Sequence, residues 1–78
     1  MRDARSFKER DLAALARRFR KHSGDSRAEA ARRMKVSQTS IFQAEEMPEQ
    51  ALLKLRVRMI EAYSPYRVTG PVYLLKRK

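Results

Sequence analysis

Five side chains between positions 38 and 46 have the chemistry to read the edge of a base pair: Gln38, Thr39, Phe42, Gln43 and Glu46. A glutamine amide can pair with N6 and N7 of adenine through two hydrogen bonds, and threonine offers both a hydroxyl and a methyl group. An aromatic ring at Phe42 can meet thymine methyl groups, or can turn inward onto a following helix. The spacing supports a shared outer face, because Ile41 and Ala44 fall three residues apart on the opposite side of the same helix.

These side chains need a helix held steeply across another one. The segment from Ser26 to Glu46 has the pattern for it: a short helix over Arg27–Met34, a tight turn at Lys35 and Val36, and a helix from Ser37 to Glu45 or Glu46. Asp25 or Ser26 can cap the first of these helices, and Ser26 with Glu29 has capping-box spacing. Ala31 lets the two backbones approach, while Val36 anchors the turn in the core and Ile41 follows it five residues later.

The flanking sequence supplies the rest of a core. A helix is expected from Ser6, as cap with Glu9, to His22, with Leu12, Leu15, Ala16 and Phe19 on its apolar face. Arg10, Arg17, Arg18 and Lys21 lie opposite, and the run Arg17, Arg18, Arg20, Lys21 reads first as a solvated helix face. Gly24 can take the left-handed conformation that ends this helix. Met47-Pro48 marks a break, followed by a helix over Pro48–Tyr63 with Leu52, Leu55, Met59, Ile60 and Tyr63 inward. Met34 and Met59 read as core fillers and His22 as a charge complement to a helix end. Residues 66–75, rich in β-branched, aromatic and leucine residues around Gly70-Pro71, read as two short strands about a turn or as one bent strand. The expected fold is mainly α: a single small helix-turn-helix domain over 1–78, with about four helices and a short C-terminal β-strand or hairpin.

Composition narrows the partners. Nineteen Lys and Arg against nine Asp and Glu give a net charge of +10 in 78 residues, which points to a polyanion. Residues 1–36 hold most of the excess. The chain has no cysteine, so no disulfide or thiolate zinc site is possible, and the single His22 cannot assemble a metal site alone. No catalytic site, metal or other cofactor is expected. A glycine-rich phosphate loop and a His–carboxylate pair at a useful spacing are missing from the sequence, and Glu45 and Glu46, being adjacent, point apart on a helix. No small-molecule substrate and no membrane partner is expected, since no stretch approaches the roughly 18–20 apolar residues of a bilayer span. A cytoplasmic location follows as the default expectation.

Residues 27–46, RAEAARRMKVSQTSIFQAEE, resemble the helix-turn-helix of Cro/repressor-type regulators, the xenobiotic-response-element family. Ala31, the run Val36-Ser37-Gln38-Thr39-Ser40-Ile41 and Glu45 carry the resemblance. It implies a phage or mobile-element type of regulator that reads the major groove as a homodimer on a pseudo-palindromic operator. It adds Ser37 to Gln38, Thr39, Phe42, Gln43 and Glu46 as a base-contact candidate and makes Arg27 a phosphate contact. Ser26, Arg32, Arg33, Lys35 and Ser40 complete the expected phosphate contacts. The sequence departs from the family at Lys35, where glycine is usual, and at Ala44, where a larger aliphatic residue is common.

A chain this small often needs a second subunit, and an unpaired strand edge attracts one. Val68, Val72, Tyr73, Leu74 and Leu75 are therefore the expected dimer interface, within a β tail over residues 66–76. Tyr63, Tyr66 and Tyr73 suit packing better than base stacking, and Lys76-Arg77-Lys78 reads as a solubilising tail or a weak phosphate-contacting arm. The alternative function is a protein-interaction module of the anti-activator type, which reuses the same fold to sequester another regulator. RNA binding and attachment to an anionic membrane surface are further readings that the charge permits.

Overall fold

The computed structural model describes residues 6–70 and 73–78. Strand β1 (Ser6–Phe7) leads into four helices, α1 (Glu9–Ser23), α2 (Arg27–Met34), α3 (Gln38–Glu46) and α4 (Leu53–Tyr63), followed by strands β2 (Tyr66–Thr69) and β3 (Tyr73–Arg77). The mainly helical class and the four helices match the expectation, and the tail forms a hairpin.

Local chemistry explains most of the boundaries. Gly24, at φ 93°, closes α1 by donating its N–H to Lys21 O. Ser26 caps α2 reciprocally: its Oγ accepts from Glu29 N at 3.1 Å, and Glu29 Oε1 accepts from Ser26 N at 2.7 Å. Ser37 Oγ caps α3 by accepting from Ser40 N at 3.1 Å. Lys35 takes the left-handed conformation (φ 61°, ψ 46°) that the missing glycine would have filled, at a steric cost of about 1–2 kcal/mol. Val36 N–H then reaches back to Ala31 O at 3.0 Å and seals the end of α2.

Two boundaries differ from expectation. Ser6 does not cap α1, because Ser6 and Phe7 are extended and pair antiparallel with Leu74 and Tyr73. Lys8 is the cap residue instead, its N–H donating to Asp11 Oδ2 at 2.9 Å. The strand wins because it pairs residues 6 and 7 with β3 and lays Phe7 against the core. Helix α4 starts at Leu53 rather than Pro48, after residues 47–52 turn through hydrogen bonds from Gln50 N to Met47 O and Leu52 N to Gln50 O.

The core lies between the helices and one face of the sheet. Leu12, Ala16, Ala30, Ile41, Ala44, Met59 and Ile60 are fully buried, and each large apolar side chain among them contributes about 1.5–3 kcal/mol. Small residues at Ala30 and Ala31 let α2 and α3 approach. The sheet runs β1-β3-β2, all antiparallel. Phe7, Tyr66, Val68, Tyr73 and Leu75 face the core, whereas Arg67 and Lys76, paired across the hairpin, are exposed on the other face. Phe19 of α1 meets Tyr66 with ring centroids 6.1 Å apart.

Candidate nucleic-acid interface

Helix α3 buries Ile41, Ala44 and Glu45 and leaves Gln38, Thr39, Phe42 and Glu46 exposed, with Gln43 half-buried. Phe42, at 45% exposure, is the one large apolar side chain left in solvent among the described residues. It does not turn inward onto α4; its ring lies under the Arg27 guanidinium, 5.0 Å from the centroid. Ser37 is exposed, but its hydroxyl is committed to the cap and to Ser40 Oγ at 3.0 Å.

The orientation of α3 is fixed by ions at its C-terminal half. Glu45, with a side chain wholly shielded from solvent, receives the Arg20 guanidinium through Nε to Oε2 and through Nη2 to Oε1 at 2.9 Å. Arg27 Nε adds a third bond to Oε1 at 3.0 Å, and Arg20 Nη1 goes on to Asp25 O at 2.8 Å. The hydrogen bond with Glu45 raises the Arg20 pKa above its ordinary value, against the opposing effect of burial. Glu46 Oε2 is bridged by Arg17 Nε at 2.9 Å and Arg27 Nη2 at 2.7 Å. One carboxylate pair thus ties α3 to both α1 and α2.

A second buried cation ends the same helix. The fully buried Arg56 of α4 donates to Ala44 O at 2.9 Å, Met47 O at 2.8 Å and Gln50 O at 2.9 Å. Burial lowers its pKa from the ordinary value, and carbonyls at the negative end of α3 compensate the charge. Neither Arg20 nor Arg56 was expected inside. The signal was present: Arg20 stands four residues after Ala16, and Arg56 lies three before Met59 and four before Ile60, so both sit in the apolar register of their helices.

The remaining candidates divide clearly. Arg32 and Lys35 are exposed and have no ion-pair partner among the described residues. Arg27 is already engaged by Glu45, Glu46 and Phe42. Arg33 lies 3.7 Å from Asp25 and stacks over the Tyr63 ring at 4.8 Å. Burial and a hydrogen bond to Asp25 push the Tyr63 phenol up to about 12. Ser26 and Ser40 serve as cap and first-turn residues. Arg17, Arg18, Lys21 and His22 of α1 line a shallow depression with Glu45 and Glu46, so cations stand at both ends of α3: Lys35 before it, the α1 group beside its end. The basic run on α1 is therefore not one solvated face, since Arg20 is internal and Arg17 is paired.

The tail has uses within the chain that its expected role left out. Leu75 is a core residue at 7% exposure, and Val68 and Tyr73 pack against the core; Leu74 is half-buried, and Val72 lies outside the described residues. The edge of β2 is not open either. Tyr66 N–H donates to Ser64 Oγ at 3.2 Å and Val68 N–H to Glu61 Oε2 at 3.1 Å, on the side away from β3. β3 has β2 on one side and β1 on the other. The unpaired edge that motivated a tail-to-tail dimer is thus largely satisfied internally.

Among the described residues no helix is long and apolar enough to cross a membrane, and no three potential metal ligands gather. No protein-family model matches the chain, and no curated protein or solved structure matches it.

Proposed function

We propose that the protein is a sequence-specific duplex-DNA-binding regulator that reads the major groove with α3, in the manner of the Cro/repressor-type proteins that residues 27–46 resemble. One observation carries the reading. Gln38, Thr39, Phe42 and Gln43 project from a helix whose inner face is locked by Ile41, Ala44 and the Arg20–Glu45 pair. A helix held this firmly presents base-reading side chains without a large ordering cost on binding. Cations at its two ends suit the phosphate tracks that border a groove. Two copies on half-sites about 10 bp apart complete the proposal.

Selection from random duplexes, followed by fluorescence anisotropy at physiological salt, tests it. A preference of about 10³ or more over unrelated DNA is expected. Gln38→Ala and Gln43→Ala are each expected to lose about 1–3 kcal/mol on the selected site and to relax one base position. Lys35→Ala should weaken all duplexes alike. Retention of an unaltered base preference by both glutamine variants would sink the assignment of α3 as the reading helix.

The exposed Phe42 favours a second reading, an interaction module that sequesters another regulator. Equal, steeply salt-dependent binding to all duplexes, together with a protein complex lost in Phe42→Ala, is the outcome that would select it.

A further inference from the structure

We propose that the outer face of the β2–β3 hairpin, built on Arg67 and Lys76, is a second contact surface for the phosphate backbone of duplex DNA. Arg67 and Lys76 are direct cross-strand partners and both are exposed. Opposed residues of an antiparallel pair have Cα atoms only about 4.5–5.5 Å apart, and like charges so placed work against the sheet. Among the described residues neither has an ion-pair partner, and no Asp or Glu follows Glu61 in the sequence.

In the helical part Arg17, Arg20, Arg27 and Arg33 have carboxylate partners, whereas Arg32 and Lys35 have none among the described residues. Within the tail, Lys78 donates to the carbonyls of Glu61 and Ser64, and Arg77 lies over the Tyr66 ring. Of the tail's described basic side chains, Arg67 and Lys76 are left uncommitted, side by side, on a face that the core does not use. A second copy of this face would be repelled, whereas a row of phosphates supplies the missing counter-charge. The inference rests on the duplex-binding reading above and adds to it a surface separate from α3.

The full chain and its Arg67→Gln/Lys76→Gln variant should be titrated with the selected duplex and with an unrelated one between 50 and 200 mM salt. Loss of two phosphate contacts is expected to reduce the slope of log K against log salt by about 1.8, which over that range is about a twelvefold change. The loss should be equal on both duplexes, with base preference unaltered. The melting temperature of the variant should hold or rise, because the like-charge opposition is removed; a merely structural role for the pair would lower it. An unchanged salt slope with base preference intact overturns this inference alone. Failure of the unaltered chain to bind any duplex overturns it together with the proposed function. Loss of binding to phosphatidylserine vesicles with an unchanged duplex slope would assign the surface to a membrane and also overturn it.

Discussion

Glu45→Gln is expected to lower the free energy of unfolding by about 3–5 kcal/mol, the range for removing one partner of a buried ion pair. Arg20 is the reason. Arg20 is 7% exposed, and its guanidinium makes two of its three bonds to Glu45. An amide can replace the acceptors only in part and removes the compensating charge. A 78-residue domain has about 4–12 kcal/mol of stability in all, so the variant should melt far below the unaltered chain. Urea denaturation followed by circular dichroism measures the change. The double variant Arg20→Met/Glu45→Met makes the argument specific. Replacing both charges by apolar groups is often neutral or better, so it should recover most of the loss, although Arg27 keeps Glu46 as its one carboxylate partner among the described residues. If the single variant unfolds at an unchanged midpoint, α3 is not held by this pair.

Arg56→Met should cost roughly 3–5 kcal/mol by a different route. No carboxylate bonds to it; the lost bonds run to three main-chain carbonyls, and hydrogen bonds to a charged group contribute about 1.5–3 kcal/mol net each, part of which the burial of the methionine side chain offsets. Met47 O and Gln50 O retain other donors, from Gln50 N and Leu52 N, whereas Ala44 O loses its recorded side-chain donor at the end of α3. Arg56→Lys keeps the charge but lacks the planar fork that reaches three acceptors at once, so its midpoint should fall between the two. Equal stability of the arginine and lysine forms would show that charge alone, and not the fork, closes this helix end. Under the proposed function, either Arg56 variant should bind the selected duplex normally once corrected for the folded fraction.

The helical framework could be read from the sequence because its determinants are local. Ser26 and Glu29 are three residues apart, Gly24 follows its helix directly, and Leu12, Leu15 and Ala16 repeat at helical spacing, so short-range geometry decides them. Lys35 was marked only by the resemblance, as standing where glycine is usual, and it takes the left-handed conformation that a glycine there would hold with less strain. The parts that sequence reading missed depend on distant partners. Ser6 looked like a cap until Tyr73 and Leu74 were brought beside it. Arg20 looked like one of four surface cations until Glu45 arrived from α3, and Arg56 had no partner visible in sequence because its acceptors are backbone carbonyls. For the outer side of α3, exposure of Gln38, Thr39 and Phe42 agrees with the spacing argument, whereas Glu46 and Arg27, expected to reach DNA separately, hold each other.

The β1–β3 pairing has a consequence for the order of assembly. The packing of α2 on α3 is local and that of α1 on α4 is already long-range, but Phe7 meets Tyr73 only after almost the whole chain has been brought back on itself. Closing so long a loop has a high entropic cost, and contacts of this sequence separation tend to form late. The helices can therefore condense first, with the N-terminal strand docking onto a hairpin already in place. Truncating Phe7 to alanine should then accelerate unfolding while leaving the refolding rate nearly unchanged in stopped-flow experiments; a slowed refolding arm would instead put the strand in the nucleus.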